Sequence, residues 1–190
     1  SGSTAKIHYS FGTSYFRSSG FSAANTAYEG NRERDGYRNL TLSGRFGFSL
    51  ADNIDFDFTM RSLNTKTEID NFGGAYGDDP NNLQEYNTLF LKGQFRGLFL
   101  RNKWEQNLNI SFVDYDRKNE NPIDNIHPFD TENSEYKSRL WNLDWQHNLF
   151  IHEANTITFG LDFQQERGKS EYHSEGIWGP FSSFFPLQKS

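Results

Sequence analysis

Residues 37–50 read Tyr-Arg-Asn-Leu-Thr-Leu-Ser-Gly-Arg-Phe-Gly-Phe-Ser-Leu, and this alternation recurs along the whole chain. Leu40, Leu42, Phe46, Phe48 and Leu50 share one side, with Asn39, Thr41, Ser43, Arg45 and Ser49 on the other. A period of two is the mark of a strand with one apolar and one wetted face. Comparable runs occupy residues 6–16, 54–67, 84–100, 104–117, 135–150 and 156–169. Short polar turns at 51–53, 101–103 and 152–155 alternate with long loops at 18–35, 68–82 and 118–134. The pattern predicts an all-β fold, an antiparallel up-and-down meander of about seven long strands forming part of a transmembrane β-barrel wall. Residues 1–190 then make one partial barrel domain, and the Gly-, Ser-, Phe- and Pro-rich tail at 170–190 reads as a fourth long loop.

A two-layer sandwich is the main competitor. Sandwich strands run about 5–6 residues and pack apolar face to apolar face. The runs here are about 11–17 residues, enough for a tilted crossing that needs roughly 9–11. All three tight turns fall at one end of the strands, as in barrels with short periplasmic turns and long outer loops. Tyr15, Tyr37, Trp104 and Tyr115 stand near strand ends, the level of an interfacial aromatic girdle.

Composition fits the same reading. Hydrophobic residues are 34% of the chain, lean for a globular core, yet aromatics are 17% and include 19 Phe. No stretch approaches 18 consecutive apolar residues, which excludes a membrane helix and leaves a barrel open. The net charge of −6, with Lys and Arg scattered singly, argues against nucleic acid as a partner. The absence of cysteine excludes disulfides, thiolate metal sites and a cysteine nucleophile.

The chain resembles the N-terminal part of the barrel of TonB-dependent outer-membrane receptors, most of all the vitamin B12 receptor branch. The resemblance rests on Asp35-Gly36-Tyr37-Arg38-Asn39-Leu40-Thr41-Leu42-Ser43-Gly44-Arg45-Phe46, on the turn before Ile54-Asp55-Phe56, and on Phe159-Gly160-Leu161-Asp162-Phe163-Gln164. It implies a segment of a receptor in the bacterial outer membrane that takes up a large scarce solute, a cobalamin or a metal chelate. It also implies partners in the parent protein: its own plug domain, the remaining barrel strands, the TonB complex and outer-membrane lipid. An odd number of strands leaves two free edges, which invite self-association. A small self-contained outer-membrane barrel of adhesion or structural type is the alternative. No nucleophile motif supports an enzyme.

Candidate sites concentrate in the long loops. Glu33 and Asp35, just before Gly36, match the acidic loop pair of the B12-receptor family, which implies bound calcium; Asp78 and Asp79 supply further carboxylates. Calcium takes 6–8 oxygen ligands, so clustered carboxylates suit it, although a solvated acidic loop has the same composition. Trp178, Phe181 and Phe184 in the tail are candidates to stack on a large planar solute. The five histidines, His8, His127, His147, His152 and His173, are dispersed without metal-ligand spacing.

Overall fold

The computed structural model describes residues 1–71 and 74–189, with 187–189 described by backbone alone. Among the described residues there is one antiparallel sheet and no helix. Its strands are β1 (Gly2–Ser3), β2 (Ile7–Ser18), β3 (Tyr37–Ala51), β4 (Ile54–Glu68), β5 (Leu83–Phe99), β6 (Trp104–Asn121), β7 (Thr131–His152), β8 (Asn155–Gly176) and β9 (Gly179–Lys189). Each strand pairs only with its neighbours in sequence, so the order is β1 through β9 without a crossover. The up-and-down meander expected from the alternation is present.

Two expectations need correction. The sheet has nine strands, not seven: the two-residue β1 adds one at the start, and β9 adds another because the tail is not a loop. β8 continues to Gly176, turns through Ile177-Trp178, and returns as β9 along Arg167–Gly176. The fourth connection at the long-loop end is therefore tight. Residues 170–176 hide this because Ser170, Glu171, Tyr172, His173, Ser174 and Glu175 offer no apolar face, and pairing there needs none. For the same reason β6 and β7 run past their expected ends, to Asn121 and from Thr131.

Register places matching side chains in rows. Phe46, Phe58 and Gly93 align, as do Phe48, Phe56 and Phe95, then Leu108, Trp145 and Leu161 further along. The Phe48 and Phe56 rings stack at 5.1 Å, and Phe112 meets Trp141 at 4.5 Å. Such cross-strand pairs are the unit of sheet stability. Among the described residues none covers this apolar face. Phe58 is 45% exposed and Leu161 67%, and Ala24 is the one buried hydrophobic residue among those described. A sandwich is thereby excluded: no second layer meets the apolar side.

The opposite face is polar and internally paired. Arg45 Nε and His8 Nε2 both lie 2.8 Å from Asp57 Oδ1. Gly47 makes this possible, since a Cβ there would stand 2.1 Å from His8 Nε2. Arg96 donates to Glu105, Asn148 donates to Glu105, and Thr158 donates to Asn148, a chain across four strands. Gln94, Asn109 and Asp144 form a second ladder at 2.8 and 2.9 Å. Of the expected girdle residues, Tyr15 pairs with Leu40 on the apolar face, and Trp104 pairs with Leu149 there. Tyr37 and Tyr115 do not: they align with Thr67 and with Thr88 and Ser138 on the polar face. A girdle requires the right face as well as the right height, and spacing from a strand end specifies only height.

Candidate functional site

The long-loop end gathers the chemistry. The loop between β2 and β3 (residues 19–36) folds onto the loop between β4 and β5 (69–82) through buried polar groups. Asn31, 1% exposed, uses its whole amide. Its Nδ2 donates to the carbonyls of Asn25 and Gly74, and its Oδ1 accepts from the amides of Gly77 and Asp78. Buried polar groups are stable only when so satisfied.

Around this staple lies a carboxylate cluster. Asp78 accepts from the hydroxyl of Ser22 and from the backbone amides of Arg32 and Glu33. Asp70 accepts from the Ala24 amide at 2.5 Å, Asp35 from the Ala23 amide at 2.7 Å, and Glu68 from the Gly36 amide at 2.7 Å. Burial pushes the Glu33 carboxyl up to about 7, helped by the nearby charges of Asp78, Asp70, Asp35 and Glu68. Asp35 is raised as well, first by burial, against the lowering effect of the Ala23 amide. Like charges held this close, in partial isolation from water, favour protons or a cation between them.

Of the four carboxylates expected to act together, the structure unites Glu33, Asp35 and Asp78 and adds Asp70 and Glu68. Asp79 is elsewhere. Adjacent residues of this loop point to different sides, and the Asp79 side chain, fully buried, faces the loop between β6 and β7 (residues 122–130). There it accepts from Asn121 Nδ2 at 2.8 Å and approaches His127. Sequence spacing gave no sign of His127, which is 48 positions from Asp79 (127 − 79).

Trp178 caps the β8–β9 hairpin and is 95% exposed. It lines a cleft of about 650 Å³ with Ile177, Ser174, Glu132, Asp130 and His127. Phe181 pairs in register with Ser174 and lies 6.1 Å from the Tyr172 ring. Phe184 pairs with Glu171 on the other face, its ring 5.8 Å from Lys169 Nζ. Three positions apart on one strand, Phe181 and Phe184 point to opposite sides and do not form one platform.

Neither the protein-family models nor the curated protein sequences match this chain. Among solved structures it is similar to the ferric yersiniabactin uptake receptor FyuA from Yersinia pestis, with a TM-score of 0.64 and 10% identity. The match covers 97% of this chain and 31% of that one. The likeness is one of fold, a long antiparallel up-and-down sheet. The chain thus spans under a third of the length of the receptor it matches. At 10% identity the likeness carries the fold and does not single out the vitamin B12 branch.

Proposed function

We propose that this chain is a wall segment of a TonB-dependent receptor in the bacterial outer membrane. The receptor takes up a large scarce solute of the metal-chelate or cobalamin class, and the segment itself makes and breaks no covalent bonds. The observation that carries this reading is the uncovered apolar face backed by a paired polar face over the same strands. Lipid supplies the missing layer on one side, and a plug with lumen water meets the other. The remaining strands of the parent continue the sheet from its free edges. Among the described residues, β1 covers only Tyr9 and His8 of β2, and residues 155–166 of β8 have no partner on their outer side. Isolated, those edges favour self-association.

Calcium is proposed to order the loops through Glu33, Asp35, Asp70 and Asp78. The donor set is all oxygen, as calcium requires, and Asp70 Oδ1 is buried without a hydrogen-bond partner. Asp79, placed apart, is not included. Trp178, which lines the cleft, and Phe181, in register with the cleft residue Ser174, are the proposed contacts to solute; Phe184 faces the other side of the sheet.

The wall is tested by refolding the chain into vesicles with bromine-labelled acyl chains. Trp141 and Trp145, on the apolar face, are expected to be quenched, and Trp178 spared. Equal quenching of all tryptophans sinks the assignment of faces. Uptake is tested by deleting the parent gene and following energy-dependent accumulation of cobalamin and ferric chelates. Unchanged accumulation of every such solute refutes the transport role. Calcium titration followed by amide exchange in residues 22–36 tests the loop site, and Asp35→Asn is expected to weaken it.

A further inference from the structure

We propose that Asp79, Asp124 and His127 bind one divalent transition-metal ion of the zinc class, tying the β4–β5 loop to the β6–β7 loop. This site is distinct from the carboxylate cluster and does not depend on the receptor reading. The argument begins with the imidazole. His127 Nε2 lies 3.1 Å from the carbonyl oxygen of Tyr76, which only accepts, so this nitrogen carries the hydrogen. In the neutral ring the lone pair is then on Nδ1.

Nδ1 has no hydrogen-bond partner and faces two carboxylates, 3.5 Å from Asp124 Oδ1 and 3.8 Å from Asp79 Oδ2. Asp79 Oδ1 and Asp124 Oδ2 are also buried and unpartnered. The Asp79 side chain is fully buried, and those of Asp124 and His127 are 16% and 11% exposed. A nitrogen lone pair and two carboxylates turned together away from water repel one another unless a cation lies between them.

Distance separates the two possible cations. A protonated ring draws a carboxylate to about 2.7–2.9 Å. A tetrahedral ion with bonds of about 2.0–2.2 Å holds neighbouring ligand atoms roughly 3.3–3.6 Å apart. The 3.5 Å separation falls in the second range and the 3.8 Å one just above it, both well beyond a charge-assisted hydrogen bond, and the three ligand atoms all lie within 4.8 Å of one another. Supporting groups are in place around the ligands. Tyr76 fixes the ring, the amides of Ile126 and His127 hold Asp124 Oδ1 at 2.7 and 2.5 Å, and Asn121 holds Asp79 Oδ2. One nitrogen with two carboxylates selects a borderline-soft ion over calcium, which needs 6–8 oxygens. Three side chains leave a fourth position of the tetrahedron for water or a donor from solute, and His127 lines the Trp178 cleft.

The test is titration of the full chain in detergent with Zn²⁺, and with Cu²⁺ as a spectroscopic probe. One equivalent of Zn²⁺ is expected to bind. His127→Gln and Asp79→Asn each weaken it by ~10-fold or more, while Glu33→Gln leaves it unchanged within about twofold. Pulsed electron paramagnetic resonance of the Cu²⁺-loaded chain is expected to show one imidazole nitrogen that vanishes in His127→Gln. Because Asp79→Asn alters a buried loop, the imidazole signal decides if that variant misfolds. Absence of stoichiometric binding, an imidazole signal surviving in His127→Gln, or equal displacement by Ca²⁺ overturns the proposal.

Discussion

The two ends of the same strands put different chemistry on the same face. Along β7, Leu149, His147, Trp145, Leu143 and Trp141 face one side near the short turns; two residues on, that side continues as Arg139, Lys137 and Glu135. β8 changes in step, from Phe159, Leu161 and Phe163 through Gln165 to Arg167, Lys169 and Glu171. β5 passes from Phe95 and Leu91 to Asn87 and Glu85. Above the boundary the side chains pair by charge: Lys66 with Glu85 at 3.2 Å, Lys137 with Glu135 at 2.7 Å, Arg139 with Asp114 at 2.9 Å. The apolar span in β7, Trp141 to Leu149, is nine residues. That matches the roughly 9–11 residues of a tilted membrane strand. Strand pairing is continuous across the boundary, so the change is one of side-chain chemistry and not of fold.

The sharpest way to break this comparison is to put a charge into the apolar half. Phe163→Arg is expected to destabilise the chain in vesicles by ~2–4 kcal/mol, as for arginine at a bilayer midplane. Gln164→Arg, the next residue and on the polar face opposite Asn142, is expected to shift stability by less than about 0.5 kcal/mol. Urea unfolding of both variants gives the difference, and equal effects would mean that lipid does not meet the Phe163 side.

In the long-loop half, Asn31→Ala leaves the Gly77 and Asp78 amides without their acceptor. The cost is about 1–3 kcal/mol, confined to residues 19–36 and 69–82. Amide exchange is expected to quicken in those loops while β5–β7 keep their protection. Exchange that quickens throughout the sheet would show that the two halves unfold as one.

A smaller effect follows from Glu33. Its carboxyl is raised from 4.5 to about 7 in the fold, so the folded loops hold a proton that the open loops release. Loop stability is therefore greatest below pH 4.5, declines as pH rises through that interval, and is lowest above about 7. Exchange at Arg32 and Glu33, measured without divalent ions from pH 5 to 8, is expected to accelerate with pH beyond its intrinsic rate. In Glu33→Gln that excess disappears.

The least change is expected from the charged rows. Lys137→Gln removes contacts to Glu135 and Asp116 from a half-exposed side chain. Such pairs contribute about 0–1 kcal/mol and weaken with salt. A loss above that range, insensitive to salt, would place this row in an environment drier than the long-loop half allows.

How much of this was legible differs by region. Inside the apolar span every second residue is apolar, so the strands from Tyr37 to Phe163 were readable to within a few residues. Beyond it both faces are wet, and β9 and the upper parts of β6–β8 lost the signal that would have marked them. Glu33, Asp35 and Asp78 were readable as carboxylates in loops. Their union with Asp70, and the separation of Asp79 from Asp78, depended on how two loops cross.

The period of two, the long runs and the tight turns by themselves determined a meander with one greasy and one wetted face. Those are local constraints, imposed on each strand by the solvent on its two sides. Only the tertiary structure decided the nine-strand register, the buried Asn31 staple and the meeting of Asp79 with Asp124 and His127. These join residues tens of positions apart through loop backbone, where no repeating pattern in the chain records which side chain will face which.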